Sequence, residues 1–259
     1  MDKSLFELAK ALDAVDTIIC VGNRQQNSIP KRTQQSYKFS QQKFQYLVVM
    51  DFEATCWSTT TKGSWKTNEI IEFPAVLLNL NTGQLEAEFQ QYVMPVENPR
   101  LSEFCTNLTG IQQDQVDAGV SLASCLLLFT KWLTQILSER GLVLPKSDRN
   151  NPAGNVAFAT WSDWDLGACL SKECTRKKIN KPAYFDQWID VRAIYRKFYQ
   201  RQSSFSDALA QQGLQFEGRP HCGLDDAKNL ARLIMRMCKD GSKMIITKDL
   251  RPFELLNKK

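Results

Sequence analysis

The sequence has a single histidine, His221, and its eight cysteines include no CxxC pair. This combination disfavours a Cys- or His-ligated zinc site, which needs paired ligands at short spacing. The first residues, MDKSLFELAK, carry charges and lack the apolar core of a secretory signal. We therefore expect reduced thiols, several of them buried as small apolar side chains, in an intracellular protein of the cytoplasm, the nucleus or both.

Long apolar runs are also missing, because no segment approaches the roughly 20 residues that a membrane helix needs. The 259 residues suffice for one large domain with a buried core, alone or with an appendage. Hydrophobic residues make up 43% and charged residues 24% of the chain, as is usual in globular proteins. The net charge of +5 permits binding to a polyanion but does not require it.

Composition divides the chain into three parts. Residues 1–43 hold a short amphipathic helix, SLFELAKALDAV, interpreted as a docking element, and then a polar linker or extension. Residues 44–250 are the main domain, and residues 251–259 are a C-terminal tail. No internal repeat is seen.

Hydrophobic patterning predicts a mixed α/β domain. Strands are expected at 46–54, 69–81 and 84–95, as an antiparallel meander, with a bulge at Pro74. Helices are expected at 122–137, 164–174, 190–200, 203–213 and 223–240, with a further short strand at 154–161. Strands first, then helices alternating with short strands, indicate a mixed sheet flanked by helices.

Two acids end the first predicted strand. Asp51 and Glu53 are two residues apart, so in a strand they point to the same face about 7 Å apart. Two like charges at the end of a buried strand repel one another and are costly to desolvate, and a divalent cation such as Mg²⁺ would relieve both effects. The alternative is a solvated strand end with two exposed acids, and the short pattern leaves both hypotheses open.

The helix predicted from residue 223 begins with Asp225 and Asp226, and both suit the helix dipole. Asp226 shares its face with apolar residues four, seven and eleven positions later, whereas Asp225 shares a solvent-like face with polar residues. Asp226 is therefore expected to point inward, towards a metal or a hydrogen-bonding partner. His221 precedes this helix in a loop, where a histidine is often an ordinary polar residue but is also suited to accept a proton from water.

A third group of acids follows the strand predicted at 154–161. Ser162 or Asp163 fits a helix N-cap, which leaves Asp165 in the first turn of the helix. Spacing alone does not choose between Asp163 and Asp165 as a metal ligand.

Three segments, DFEATC (51–56), SDWD (162–165) and GRPHCGLDDAKNLAR (218–232), resemble the motifs of DEDDh exonucleases. With LSEFCTNLTGIQQDQVD (101–117), the chain more narrowly resembles the Eri-type 3′-to-5′ exoribonucleases, known also for trimming histone-message ends and small interfering RNA. The likeness covers roughly residues 44–250. It implies an RNase H-like fold with a mixed five-stranded sheet between helices.

The resemblance also implies a role for each of the site residues. It assigns the metal ligands to Asp51, Glu53, Asp165 and Asp226, choosing Asp165 over Asp163. Two divalent ions, Mg²⁺ or Mn²⁺, are implied, one for the attacking water and one for the leaving 3′-oxygen. His221 is the implied base and, with Glu53 of the water-activating site, is counted as catalytic. The implied product is a 5′-nucleotide.

By the same resemblance, the 3′-terminal nucleotide is expected to contact Glu53, Ala54, Thr55, Leu108, Thr109, Ile111, Trp164 and His221. Trp164 is expected to stack on a base, and its alternative is a core tryptophan. Arg219 is expected either to contact a phosphate or to cap local structure. A basic stretch is expected either to guide the strand or to form a solvated helix end, and it comprises Arg176, Lys177, Lys178 and Lys181.

The expected activity is 3′-to-5′ hydrolysis of RNA, and of DNA where the pocket does not read the 2′-hydroxyl. Rival hypotheses are a DNA-directed repair exonuclease, an inactive nucleic-acid binder of this fold, and a scaffold that recruits a partner through its N-terminal helix. The five filled motif positions argue against the inactive binder, and LTGIQQDQVD argues against the DNA-directed enzyme.

Overall fold

The structure is a computed structural model that describes residues 42–58, 67–145 and 154–250. The predicted N-terminal helix, most of the linker and the C-terminal tail lie outside the described residues. The strands are β1 (Tyr46–Met50), β2 (Glu53–Ala54), β3 (Ile70–Asn79), β4 (Leu85–Tyr92), β5 (Val156–Thr160), β6 (Gln187–Asp190) and β7 (Lys248–Asp249). The α-helices are α1 (Glu103–Thr109), α2 (Gln113–Asp117), α3 (Leu122–Arg140), α4 (Ser171–Lys177), α5 (Val191–Tyr199), α6 (Phe205–Gln211) and α7 (Gly223–Lys239).

The strands form one mixed sheet, as the sequence predicts. β4 pairs with β3, and β3 pairs with β1 and β2, all antiparallel. β1 pairs with β5 and β5 with β6 in parallel, and β7 closes the order antiparallel to β6. Five strands have four or more residues, and β2 and β7 have two each. The predicted α/β architecture, a mixed sheet between helices, is confirmed.

Two apolar layers cover the sheet, one on each face. Side chains alternate along β1, so that Val48 and Met50 pack on the α3 side while Leu47 and Val49 pack on the α5, α6 and α7 side. All ten residues of β3 are buried, because helices cover both faces of the sheet there. The buried sheet therefore fixes the position of the chain segments that directly follow its strands.

The predicted bulge at Pro74 is wrong. Pairing between β1 and β3 stops at Met50 opposite Ala75, and it resumes as β2 at Glu53 opposite Glu72. The register of β3 against β4 shifts instead between Leu77 and Leu78. Pro74 lacks an N–H, and it lies opposite the break between β1 and β2, where no ladder bond is needed from it.

The predicted helix at 164–174 is two elements, a π-helix at Trp164–Leu170 and then α4. Hydrophobic periodicity predicts neither α1 nor α2, since helices of seven and five residues are too short to show a face. Caps reveal α1 instead: the Ser102 hydroxyl accepts the Cys105 N–H at 3.0 Å, and Gly110 ends the helix at φ +77°.

The seven cysteines of the described part are free thiols, and five of them are buried, as the sequence predicts. Cys20 lies outside the described residues. In the part of the chain that the structure describes, every helix is too short or too polar to traverse a bilayer.

Candidate active site

A cleft of about 320 Å³ lies where the parallel strands β1 and β5 end. Asp51 follows β1 directly, and Asp165 follows β5 through the start of the π-helix. The cleft is lined by Asp51, Phe52, Glu53, Ala54, Cys56, Asn68, Leu108, Trp161, Ser162, Trp164, Asp165 and His221. Carboxyl ends of adjacent parallel strands are where α/β sheets commonly bind ligands.

Three carboxylates converge beside this cleft, and two of them, Asp51 and Glu53, line it. Ligand oxygens of Asp51, Glu53 and Asp226 all lie within 4.8 Å of one another. Asp226 comes from the first turn of α7 and is buried, as helix periodicity predicts. Its Oδ2 atom is buried with no hydrogen-bond partner, which costs about 1–3 kcal/mol when nothing compensates. A cluster of hard oxygen donors with an unpartnered buried oxygen fits a divalent cation.

Asp165, and not Asp163, faces this cluster. Asp165 Oδ1 accepts the backbone N–H of Phe52 at 2.9 Å, between the two acids of the first motif. Asp163 is turned towards β6 and β7, where its carboxylate accepts the Trp188 indole N–H at 3.1 Å and pairs with Lys248 at 2.8 Å. The partners of each side chain therefore separate two acids that spacing leaves equivalent.

Burial raises the pKa values of all four acids, and the charges of neighbouring acids add to the rise at Asp51 and Glu53. Burial, and then the charges of Asp165 and Asp226, hold the pKa of Asp51 well above its usual range. Burial and the charge of Asp226 raise the pKa of Glu53 to about 9. Burial raises the pKa of Asp165 to about 7 and that of Asp226 to about 7. A bound cation would relieve both the desolvation and the repulsion.

His221 lies at the rim of the cleft, immediately before α7. Its backbone lies close enough to the Asp226 carboxylate to lower the pKa of that group, and its φ of +62° places it in the left-handed region, uncommon for a residue with a side chain. Partial burial and the nearby charge of Arg219 lower the pKa of the imidazole. This lowered pKa favours the neutral ring, which can accept a proton.

The residues predicted to contact the terminal nucleotide divide into two groups. Five line the cleft, namely Glu53, Ala54, Leu108, Trp164 and His221. Trp164 is 42% exposed, so the alternative of a core tryptophan does not hold.

The structure places Thr55, Thr109 and Ile111 behind the wall, with each at most 3% exposed. The Thr55 hydroxyl accepts the Glu69 N–H at 3.0 Å, and the Thr109 hydroxyl accepts the Ile111 N–H at 3.1 Å. These contacts brace the wall of the cleft.

Sequence reasoning missed five lining residues, namely Phe52, Cys56, Asn68, Trp161 and Ser162. Four of them lie inside or beside the first two motifs, and this proximity is the sequence signal that could have identified them as lining residues. Asn68 precedes β3 and carries no local signal.

Most of the cations singled out from the sequence contact other groups of the same chain, in the part that the structure describes. Arg219 donates to the Asn107 carbonyl at 2.9 Å, near the end of α1, which matches the capping alternative. Three members of the basic stretch form ion pairs with acids of the same chain: Arg176 with Glu97 at 2.7 Å, Lys177 with Glu69 at 2.7 Å, and Lys181 with Asp186 at 2.5 Å.

The face of α7 that holds Asp225 is less solvent-like than the sequence predicts. Asn229 is fully buried there, and its amide donates to the Glu217 carbonyl at 2.7 Å and to the Asp225 carbonyl at 2.8 Å. Asp225 accepts the Arg219 N–H at 2.9 Å. This face therefore holds the loop before the helix.

A mixed sheet whose edge gathers four acids and a histidine in and beside one cleft is the arrangement of a metal-dependent nuclease. The exonuclease family model RNase_T matches residues 48–234, and the chain belongs to this family. It is 49% identical to the 3′-5′ exonuclease Snipper of Drosophila melanogaster over 275 aligned positions, 98% of each chain. It is 50% identical to ERI1 exoribonuclease 2 of Homo sapiens over 215 positions, 82% of this chain and 31% of that one.

A solved structure agrees with the sequence relatives. The nuclease domain of 3′hExo, described as a DEDDh family member bound to rAMP, superimposes with a TM-score of 0.69 at 36% identity, covering 80% of this chain and 98% of that one. The resemblance drawn from the three motifs is confirmed, and the chain is a 3′-to-5′ exonuclease.

Proposed function

We propose that the protein removes nucleotides from the 3′ ends of RNA, with DNA as a second substrate. In this proposal two divalent ions, Mg²⁺ or in its place Mn²⁺, are held by Asp51, Glu53, Asp165 and Asp226. The unpartnered Oδ2 of Asp226, buried among other acids, is the observation that supports metal binding most directly. The names of the exoribonuclease relative and of the rAMP-bound neighbour support RNA as the main substrate.

The residues of the cleft have separate tasks in this reaction. Bound ions supply Lewis-acid stabilisation of the charge on the phosphate and on the leaving 3′-oxygen. Asp165, through the Phe52 N–H, holds the segment between Asp51 and Glu53 in place. Neutral His221 accepts the proton of the attacking water, and the released product carries a 5′-phosphate.

The shape of the cleft favours action at a chain end. A volume of about 320 Å³ is that of a small-ligand site and suits a terminal nucleotide. Exposed Trp164 offers a face on which any base can stack, while Leu108 lies on the wall.

The test uses RNA and DNA strands of one sequence, labelled at the 5′ end, single-stranded or with a 3′ overhang. The wild type with Mg²⁺ should shorten RNA stepwise from the 3′ end, and Asp51→Ala or a chelator should stop the reaction. Degradation that persists in chelator would refute metal dependence. Faster degradation of DNA would favour the repair-enzyme hypothesis, and binding without cleavage would favour the inactive binder.

A further inference from the structure

Glu72 of β3 is a fifth acid beside the site, and it is 1% exposed. It pairs with Glu53 across the β2–β3 ladder. Directly opposed residues of antiparallel strands project from the same face of a sheet, so both carboxylates lie on the side of the cleft. Glu72 nevertheless stands apart from the three carboxylates that converge within 4.8 Å.

Both oxygens of Glu72 are engaged at the start of α7. Oε2 accepts the Gly223 N–H at 2.9 Å, and Oε1 accepts the Leu224 N–H at 3.3 Å. The Gln90 amide of β4 also donates to Oε1, at 2.7 Å. The carboxylate of Glu72 is therefore used by protein donors and is not directed at a metal.

These contacts replace a missing cap. The first N–H groups of a helix have no partner within the helix, and a side chain just before the helix usually accepts one of them. Cys222 occupies that position in α7 and makes no such hydrogen bond. Glu72 supplies the acceptor from a strand 151 residues earlier.

The contact between α7 and the sheet is also sterically tight. A Cβ atom on Gly223 would lie 2.5 Å from the Asp51 carbonyl oxygen and 2.9 Å from Pro74 Cγ. The first residue of α7 thus rests on the backbone of a proposed metal ligand. His221 lies two residues before Gly223, and Asp226 lies three residues after it.

We propose that Glu72 is a positioning residue, which docks the N-terminus of α7 on β3 and so sets Asp226 and His221 against Asp51 and Glu53. This inference rests on the proposed roles of Asp226 and His221. It assigns to Glu72 the geometry of a hydrogen-bond acceptor rather than the charge of a metal ligand.

Three substitutions separate geometry from charge. Glu72→Gln keeps the length and the acceptor oxygen for the Gly223 N–H, and the Gln90 amide can flip to accept from the new NH₂ group. It loses only the contact with the Leu224 N–H, the longest of the three at 3.3 Å. Glu72→Asp keeps the charge but withdraws the carboxylate by one methylene from the Gly223 N–H. Glu72→Ala removes the acceptor altogether. Glu88→Ala is the matched control, because Glu88 also joins β4 to α7, through Lys228 at 2.9 Å, away from the helix start.

The rate on 3′-ended RNA and the Mg²⁺ concentration for half-maximal rate are measured for each variant. A residue that orients ligands in this way typically contributes about 10–100-fold in activity or metal affinity. We expect Glu72→Ala to lose activity in that range and to need more Mg²⁺, Glu72→Gln to recover most of the rate, and Glu72→Asp to recover less. Glu88→Ala should match the wild type in both quantities.

Other outcomes would overturn the inference. Wild-type rate and Mg²⁺ dependence in Glu72→Ala would show that the contact positions nothing. Should Glu72→Ala fail to fold, the order of the other two variants decides, since better recovery by Asp than by Gln would mean that charge is what matters. Asp226→Asn is assayed in parallel, and full activity in that variant would refute the proposed site itself rather than the role of Glu72.

Discussion

At the residue scale, the site combines buried acids with one partly exposed imidazole. The pKa values of Glu53, Asp165 and Asp226 are raised to about 9, about 7 and about 7, chiefly by burial. Each carboxyl therefore binds its proton more tightly in the folded chain than in the unfolded one. The same group of acids that would bind metal makes the metal-free fold sensitive to pH.

The metal-free protein should lose stability as the pH rises. A carboxyl group whose pKa is raised in the folded state contributes its full stability below its pKa in the unfolded state, about 4. This stability is lost as the pH rises through the folded-state pKa values, here about 7 to 9. Melting temperatures in chelator should be lower at about pH 8 than at about pH 6. Added Mg²⁺ should raise the melting temperature more at the higher pH, and equal shifts at both would count against this account.

His221→Ala should lower the turnover number by about 10²–10⁴-fold, the usual contribution of a general base. The side chain provides no metal ligand in our proposal, so the rise in melting temperature on adding Mg²⁺ should persist in the variant. Single-turnover assays on 3′-ended RNA measure the rate, and thermal denaturation measures the metal effect. Turnover equal to that of the wild type would remove His221 from the mechanism.

At the element scale, one buried carboxylate ties the start of β3 to the segment after β4. Glu69 is fully buried and accepts the N–H groups of Val96 at 2.7 Å, Glu97 at 3.0 Å and Asn98 at 2.6 Å. Lys177 at the end of α4 pairs with it at 2.7 Å. Because β3 carries Glu72, this network also supports the strand on which α7 docks.

Glu69→Gln should lower the free energy of unfolding by about 1.5–3 kcal/mol, the usual contribution of hydrogen bonds to a charged group. Burial raises the pKa of Glu69, but the backbone N–H groups and Lys177 together lower it by more, so the pKa lies below its usual value. The wild-type advantage should be present at neutral pH and disappear as the pH falls below about 4.

Urea denaturation of both proteins across this pH range provides the measurement. Glu139→Gln is the control, since Glu139 forms an exposed ion pair with Arg140 at 3.1 Å and should change stability by less than about 1 kcal/mol. If the wild type exceeded Glu69→Gln in free energy of unfolding by the same amount at every pH, the stabilising role of the charged Glu69 carboxylate would be contradicted.

At the scale of the whole molecule, some positive charges are neutralised by ion pairs with acids of the same chain and others are not. The Arg176 stretch is largely neutralised by ion pairs, whereas Arg192 and Arg196 of α5 are exposed and form no ion pair with the described residues. α5 begins at the same sheet edge as the cleft, because the Arg192 N–H donates to the carbonyl of cleft-lining Trp161 at 2.9 Å. Arg192, and Arg196 one turn further along α5, are therefore the exposed cations that we test for phosphate contact.

Arg192→Gln and Arg196→Gln should each weaken RNA binding and reduce the salt dependence of log K by about 0.7, the value for one phosphate contact on a single strand. Binding is measured with the inactive Asp51→Ala protein as background, over a range of salt concentrations. Lys131→Gln on α3 removes an exposed charge elsewhere and should leave the slope unchanged. A slope that changes equally in all three variants would show that only net charge matters.

The sequence by itself determined the class of fold and most of the chemistry. The two-residue repeat of a strand and the three-to-four-residue repeat of a helix are local properties of the sequence. The first predicted that Asp51 and Glu53 share a face, and the second predicted that Asp226 points inward. The motif resemblance had chosen Asp165 over Asp163, but only the tertiary structure showed the different partners of these two acids, placed Thr55 and Thr109 behind the cleft wall, and brought Glu72 to the start of α7. Those outcomes depend on hydrogen bonds between segments far apart in the chain, and local periodicity carries no information about which distant segments meet.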